Sequence, residues 1–145
     1  MSLKEEINLE ISQIDELLNQ YKVILDKVKD KPPDKIELAA LANIAQTFYT
    51  GIENILERIR KAENIKMAKN QSWHKELLKK LTENNIISDE LRLEYLDKFR
   101  AARHVFIHNY SHFLDWNEMK NIVLLIEETW EKTQNEINNY LRKNK

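Results

Sequence analysis

The sequence contains no cysteine, one glycine (Gly51) and two prolines (Pro32 and Pro33) among 145 residues. The absence of cysteine excludes disulfides, thiolate catalysis and cysteine-ligated metal sites. The scarcity of glycine and proline argues against a β-rich fold, because tight turns between strands depend on these residues. Leucine, isoleucine, glutamate, lysine and asparagine dominate instead, so the composition favours long helices.

Long apolar runs and a large net charge are also lacking. No run of residues is apolar enough to span a bilayer, and the charged N-terminal residues lack the apolar core of a signal peptide. The formal net charge of −1 gives the molecule no overall attraction for nucleic acid. We therefore expect a cytoplasmic protein with no membrane partner, in which any attraction for phosphate is local. The length is that of a single domain, residues 1–145, with a core that needs neither disulfides nor metal.

Apolar residues recur at intervals of three and four along most of the chain, which predicts amphipathic helices. The predicted helices cover residues 3 to about 30, about 35 to 64, about 73 to 81, about 89 to 108, and a last stretch after Asp115. The expected fold is all-α, an antiparallel up-and-down bundle of four long helices plus one short helix. Gly51 in the second helix costs about 1 kcal/mol relative to alanine, and a close helix crossing would offset that cost.

Residues 58–80 carry an excess of positive charge. Two glutamates oppose eight basic residues, which are Arg58, Arg60, Lys61, Lys66, Lys69, Lys75, Lys79 and Lys80. Such a run is usually a solvated face. It is also the second candidate for contact with an RNA backbone. His74 lies in the same stretch, and as a lone histidine near a helix start it is interpreted as structural rather than catalytic.

Residues 99–116 place reactive polar groups inside an apolar helical pattern. Three of the four histidines of the chain fall here, at intervals of four, and no carboxylate lies among them. The polar residues are Arg100, Arg103, His104, His108, Asn109, Tyr110, Ser111 and His112. No other stretch combines such groups at this density, so any chemistry of the protein is expected here.

Three interpretations of these residues are open on physical grounds. Histidines four apart can bind zinc, but two arginines would repel a cation and no neighbouring carboxylate completes the site, so we expect no metal and no cofactor. Arginine binds phosphate oxygens and histidine exchanges a proton near neutral pH, which suits RNA cleavage by the 2′-hydroxyl of the RNA itself. Alternatively, the same residues pair with acidic partners inside the bundle. From the residues alone, the last two interpretations are about even.

The run from Arg103 to Tyr110 reads arginine, four residues, histidine, one residue, tyrosine. It resembles the signature of the HEPN superfamily and, more narrowly, that of the HepT-like ribonuclease toxins. In that group the residue after the arginine is polar, commonly Asn, Asp or His, and His104 meets this requirement. Residues 99–116 as a whole and residues 72–78 upstream also resemble HepT-like domain sequence.

The resemblance implies a HEPN-like bundle that forms a homodimer, with the two motifs facing each other in a composite cleft. It implies a metal-independent endoribonuclease that acts on RNA and not on DNA. Arg103 would bind the scissile phosphate, and His108 would be the general acid/base. His104 would orient the motif or the substrate.

The resemblance also implies a partner, an MNT-type nucleotidyltransferase antitoxin in a type VII-like toxin–antitoxin pair. That partner would add AMP to the motif tyrosine, Tyr110. A bulky anionic group there would block the cleft and occupy Arg103 electrostatically. Arg100, Asn109 and His112 are further residues expected to contact RNA. The family includes non-catalytic members, so a helical module that binds a nucleotidyltransferase or a nucleotide is the alternative prediction.

Overall fold

The computed structural model describes residues 1–68, 70–108 and 114–144, and at residues 104, 105, 107 and 108 it describes the backbone only. The described part of the chain is helical and contains no β-strand. In chain order its elements are α1 (Leu3–Gln20), α2 (Lys22–Lys27), α3 (Lys35–Ala62), α4 (Trp73–Glu83), α5 (Asp89–Leu91), a π-helical turn (Arg92–Leu96), α6 (Asp97–His108) and α7 (Trp116–Lys143). The prediction of an all-α fold is confirmed.

Side-chain contacts show that α1 and α3 are antiparallel. Ile14, in the second half of α1, packs against Gly51 in the middle of α3. Glu6, near the start of α1, forms an ion pair with Arg58 near the end of α3. The order of contacts is reversed between the two helices, which is the arrangement that a short connection between neighbouring helices produces.

The last helix, α7, runs antiparallel to the unit formed by α5, the π-helical turn and α6. Ser88 Oγ donates a hydrogen bond to Glu136 at 2.6 Å, whereas Glu90 pairs with Lys132, one turn earlier in α7, at 3.4 Å. Ser88 also caps α5 by accepting a hydrogen bond from the Leu91 amide at 3.0 Å, as the sequence predicts. The four long helical units and the short helix α4 thus form the expected up-and-down bundle.

One helix boundary differs from the prediction made from the sequence, and another agrees with it and shows how the helix is capped. The first helix breaks at Tyr21, whose backbone (φ −106°, ψ 18°) leaves the helical region, so α1 and α2 replace one continuous helix. The start of α3 is a full capping box: Asp34 accepts from the Glu37 amide at 2.8 Å, and Glu37 accepts from the Asp34 amide at 3.0 Å. Both partners satisfy amides that the first helical turn leaves free.

The π-helical turn sets which side chains of the α5–α6 unit reach the core. Leu91 and Leu96 are both buried although they are five residues apart, and Phe99 follows one turn later. A regular α-helix does not bring positions five apart onto one face, whereas the wider π turn does. The regular spacing predicted Tyr95 at the core, with Leu93 beside it. Tyr95 is only half-buried and Leu93 is exposed.

Aromatic side chains occupy the centre of the core. The Phe48 ring lies edge-on to Phe99 at a centroid distance of 5.4 Å and edge-on to Trp130 at 6.1 Å. Tyr49 stacks on the other side of Phe99 at 6.1 Å. Since these rings come from α3, α6 and α7, they fix the position of α6, the helix that carries the arginine–histidine motif.

Gly51 marks a close crossing, as the sequence suggests. A Cβ atom added at Gly51 would stand 2.9 Å from both Cγ1 and Cδ1 of Ile14, which is closer than carbon atoms pack. The missing side chain therefore allows α1 to approach α3, and the packing gained offsets the low helix propensity of glycine.

Candidate functional site

Helix α6 presents part of the predicted motif. The helix extends to His108, in agreement with the predicted end, and Arg103 is half-buried on it. The side chains of His104 and His108 are outside the described part of the structure. Asn109, Tyr110 and His112 also lie outside the described residues. The roles predicted for these five residues therefore stay predictions.

Arg103 contacts a histidine from another helix. Its Nη1 atom lies 3.2 Å from Nε2 of His74, the second residue of α4. An arginine guanidinium carries only donors, so Nε2 of His74 has to accept this hydrogen bond. A ring nitrogen that accepts carries no proton. The hydrogen bond from Arg103 is thus one that the His74 tautomer with its proton on Nδ1 can accept.

The other ring nitrogen of His74 faces a buried carboxylate. Nδ1 lies 2.9 Å from Oε1 and 2.8 Å from Oε2 of Glu53, so its N–H donates to both oxygens. Only 6 % of Glu53 is exposed. A carboxylate this deeply buried needs a strong donor, and the imidazole N–H supplies one. Glu53, His74 and Arg103 thus form a linear hydrogen-bonded chain, which we call the Glu53–His74–Arg103 relay.

Local structure explains how the three residues meet. Glu53 follows Tyr49 by four residues on the buried side of α3, so both face α4 and α6. His74 stands in the first turn of α4, with its ring 4.0 Å (centroid to centroid) from that of Trp73 at an angle of 30°. That ring contact restricts the imidazole. Arg103 lies one turn beyond Phe99, whose burial fixes the rotation of α6 about its axis.

A tyrosine and a second ion pair border the relay. Tyr49 is almost fully buried, and its hydroxyl has no hydrogen-bond partner in the described structure. Burial, followed by the nearby Glu53 carboxylate, raises the pKa of Tyr49 well above its usual range, so the phenol stays neutral. Arg100 donates from Nε to Asp97 at 2.8 Å, so one of the residues expected to contact RNA is engaged by a carboxylate one turn away on α6.

Among the described residues, the guanidinium of Arg103 makes one hydrogen bond, the contact with His74. Arginine offers five N–H groups, and the contact with His74 uses one of them. The Nε atom of Arg103 is buried and has no hydrogen-bond partner among the described residues. A guanidinium held through one nitrogen by an uncharged acceptor keeps its positive charge, and its other amino group can bind a phosphate or carboxylate.

The arginines and the lysines of the basic stretch 58–80 make different contacts in the fold. Arg58 pairs with Glu6 and Glu10 of α1, and Arg60 forms a two-point ion pair with Glu57, at 2.7 and 2.8 Å. Its two arginines are thus committed to contacts within the bundle. The stretch also contains Lys69, which is outside the described residues, and lysines that make no ion pair in the described structure: Lys61, Lys66, Lys75, Lys79 and Lys80.

The sequence favours a structural interpretation of His74, and the hydrogen bonds of His74 to Glu53 and Arg103 within the bundle agree with it. The sequence does not indicate which residues His74 contacts, and it does not single out Glu53. A signal for Glu53 exists, because it is an acidic residue between Ile52 and Leu56 within the apolar pattern of α3. Its partner, 21 residues away, has no such signal, since the spacing between α3 and α4 says nothing about which side chains meet.

The described residues contain neither a metal-binding cluster nor a membrane-spanning helix. These residues contain no group of three or more histidine or acidic side chains placed to hold a metal ion. None of the helices in the same residues combines the length and the apolar composition needed to cross a membrane.

Comparison with known families identifies the class. The family model of HepT-like proteins matches residues 40–144, which span α3 to α7 and include Glu53, His74 and the whole motif. The chain belongs to the HepT-like family of the HEPN superfamily. This family is generally associated with toxin–antitoxin systems that act on RNA. Comparison with curated proteins and with solved structures gives no significant match.

Proposed function

We propose that this protein is a metal-independent endoribonuclease, the toxin of a type VII-like HEPN/MNT toxin–antitoxin pair. The observation that supports the proposal is Arg103, a guanidinium anchored on His74 and carried by the helix that holds the arginine–histidine motif of the family. RNA is the proposed substrate, in the cytoplasm. The whole chain is proposed to act as one domain that pairs with a second copy.

The proposed reaction uses the nucleophile that RNA carries. His108 takes the proton of a 2′-hydroxyl, whose oxygen attacks the adjacent phosphorus while the bond from phosphorus to the 5′-oxygen breaks. The leaving 5′-oxygen then takes a proton from the general acid, and the products are a 2′,3′-cyclic phosphate and a 5′-hydroxyl. Arg103 binds the non-bridging phosphate oxygens and stabilises the charge that builds up on them. His104 orients the motif or the substrate. In the proposed homodimer, two copies of α6 face each other, so that both motifs line one cleft, with Arg100, Asn109 and His112 as further contacts to RNA.

The proposed regulator is an MNT-type nucleotidyltransferase. It transfers AMP from ATP to the Tyr110 hydroxyl, with release of pyrophosphate, and thereby places an anionic group two positions after His108 in the sequence. The negative charge competes with RNA for Arg103, and the bulk of the adenylate obstructs the cleft. Both effects turn the ribonuclease off.

The test compares growth arrest and RNA cleavage for the wild type, Arg103→Ala and His108→Ala. We expect both variants to relieve growth arrest and to lose RNA cleavage by at least about 100-fold, the usual size of a lost proton-transfer or charge-stabilising group. Lys98→Ala is the matched control, because Lys98 is an exposed cation on the same helix. It should retain cleavage.

Two results would contradict the proposal. Unchanged toxicity in both motif variants would exclude this site as the source of the toxicity. A wild-type protein that cleaves no RNA at high concentration but still binds the nucleotidyltransferase or a nucleotide would favour a non-catalytic HEPN module. Intact mass after co-expression with the nucleotidyltransferase, followed by peptide mapping, tests the AMP transfer to Tyr110 separately.

A further inference from the structure

We propose that His74 and Glu53 are positioning residues that hold Arg103 in the geometry needed to bind a phosphate of the substrate. This inference rests on the proposed ribonuclease function for its consequence, but the hydrogen-bonded arrangement itself is tested without RNA. It assigns a role to a histidine outside the arginine–histidine motif and to a carboxylate on a different helix.

The two hydrogen bonds of His74 have a defined direction. Arg103 donates to Nε2 of His74 over 3.2 Å, and Nδ1 of His74 donates to Glu53 over 2.8 and 2.9 Å. The carboxylate accepts only, and the guanidinium donates only. These two ends therefore permit one tautomer of the imidazole between them. Reversal of either bond would break the other.

The Glu53–His74–Arg103 relay is held by rigid neighbours. Glu53 is buried on α3, which the aromatic core holds in place, and the His74 ring contacts the Trp73 ring at 4.0 Å. His74 therefore has a fixed orientation before Arg103 meets it. Arginine has four rotatable side-chain bonds and loses much conformational freedom when it is ordered. An anchor on Nη1 removes part of that freedom in advance, so the remaining donors are preorganised for an anion.

The contact with His74 does not neutralise the charge of Arg103. His74 is uncharged in this tautomer, so the guanidinium keeps its full positive charge for the substrate. Had Glu53 contacted Arg103 directly, a buried ion pair would have reduced the charge available to a phosphate. The neutral imidazole between them provides the orientation without a direct ion pair. The contrast lies in the same helix, where Arg100 does form a direct pair with Asp97.

The first experiment measures the protonation of His74 by nitrogen NMR at neutral pH in the wild-type protein. The chain has four histidines, and the signals of His74 are assigned by their loss in His74→Gln. We expect one neutral tautomer, with the proton on Nδ1 and an unprotonated Nε2. A proton on Nε2, or a doubly protonated ring, would overturn the proposal, because Nε2 would then be unable to accept from Arg103.

The second experiment compares two amide substitutions at one position. The amide oxygen of His74→Gln reaches about the place of Nε2 and keeps an acceptor for Arg103, whereas the shorter amide of His74→Asn reaches only the place of Nδ1. We expect kcat of His74→Gln to stay closer to the wild type than that of His74→Asn, because glutamine keeps the acceptor for Arg103 although it loses the donor to Glu53. For His74→Asn we expect kcat to fall by about 10- to 100-fold with KM changed less than threefold, because misplacement of a transition-state contact acts mainly on kcat.

The outcomes separate this inference from the proposed function. Equal cleavage by folded His74→Gln and His74→Asn would overturn the positioning role while the ribonuclease function stands. Wild-type protein with the expected tautomer but no RNA cleavage would overturn the ribonuclease function and leave the anchored arginine supported. If melting shows that either variant is unfolded, the NMR measurement on the wild type still decides whether Nε2 accepts from Arg103.

Discussion

The two sides of α3 perform different tasks in this bundle. Towards α1 the contact at Gly51 is apolar and close, because Gly51 lacks a side chain and Ile14 fills the space. Towards α4 and α6 the same helix presents Tyr49 and Glu53, two buried residues with polar groups. The apolar side gains stability from packing, whereas the polar side uses buried hydrogen bonds to orient Arg103. Helix α3 therefore supports both the core of the bundle and the candidate site.

The physical basis of the difference is directionality. Apolar packing is non-directional, so the α1–α3 contact tolerates changes that conserve volume. Hydrogen bonds have a narrow range of distance and angle, so the Glu53–His74–Arg103 relay specifies where a guanidinium points. Its net contribution to stability is smaller than that of the aromatic core, because each bond replaces one to water.

The largest expected effect is on the apolar packing itself. Phe48→Ala removes a ring that contacts Phe99 and Trp130, and we expect the free energy of unfolding to fall by about 3–5 kcal/mol. Val23, which is 83 % exposed, provides the control Val23→Ala, with a change within about 0.5 kcal/mol. Urea unfolding monitored by circular dichroism measures both. A loss below about 1 kcal/mol in Phe48→Ala would mean that the aromatic centre is not the main source of stability.

A smaller effect is expected on the polar side. His74→Ala leaves the buried Glu53 carboxylate without its donor and should cost about 1.5–3 kcal/mol, the range for hydrogen bonds to charged groups. Adding Glu53→Leu to His74→Ala removes the unpaired carboxylate and should recover part of this loss. Urea midpoints of the wild type, the single and the double variant give the comparison. A double variant less stable than His74→Ala would contradict the assigned role of the carboxylate.

The close crossing predicts an effect whose sign depends on the neighbour. Gly51→Ala gains about 1 kcal/mol of helix propensity, but its Cβ overlaps Ile14, and overpacking costs about 1–3 kcal/mol, so we expect a net loss of about 1 kcal/mol. In an Ile14→Ala background the overlap is gone, and the same substitution should stabilise. Thermal melts of the four proteins of this double-mutant cycle measure the coupling. The same sign in both backgrounds would show that Ile14 does not limit the crossing.

The smallest effects are expected at high pH. Burial, together with a hydrogen bond to Glu63, raises the pKa of Tyr140 to about 12, above the ordinary value of about 10. The folded state therefore keeps a phenol proton that the unfolded chain releases. The resulting stability is complete below about pH 10 and is lost as the pH rises towards about 12.

Melting temperatures between pH 9 and pH 12 test this dependence. Tyr140→Phe should lose less stability over this interval than the wild type. Tyr49→Phe should act in the same direction above about pH 10, because burial also raises the pKa of Tyr49. Its buried hydroxyl has no hydrogen-bond partner in the described structure, so near pH 7 Tyr49→Phe should be at least as stable as the wild type. Parallel pH curves for all three proteins would contradict the assigned shifts.

Most of the fold follows from local patterns in the sequence. The spacing of apolar residues gave the second helix within two residues of its observed end at Ala62, and Ser88 marked the start of the α5–α6 unit. The break at Tyr21 was not predicted, because neither proline nor glycine marks it. The π-helical turn was not predicted either, since a periodicity of 3.6 residues assumes a regular helix.

For the candidate site, too, the sequence predicts some features and not others. Arg103 was identified from its motif, and the structure shows it anchored on His74. The contact with His74, and through it with Glu53, joins residues 29 and 21 positions apart. No periodicity relates such distant positions. The sequence showed that Glu53 is acidic and that His74 begins a helix, but not that the two side chains face each other.

The sequence by itself determined the all-α class, the bounds of most helices and the motif on α6, because turn residues, caps and apolar spacing act over a few positions. The rotation of α6, the close approach at Gly51 and the contact of His74 with Arg103 depend on the tertiary structure. These three features depend on how the helices pack. Packing involves contacts between side chains that are distant in the sequence and that meet only in the folded chain. The Glu53–His74–Arg103 relay is therefore a property of the bundle rather than of any one segment.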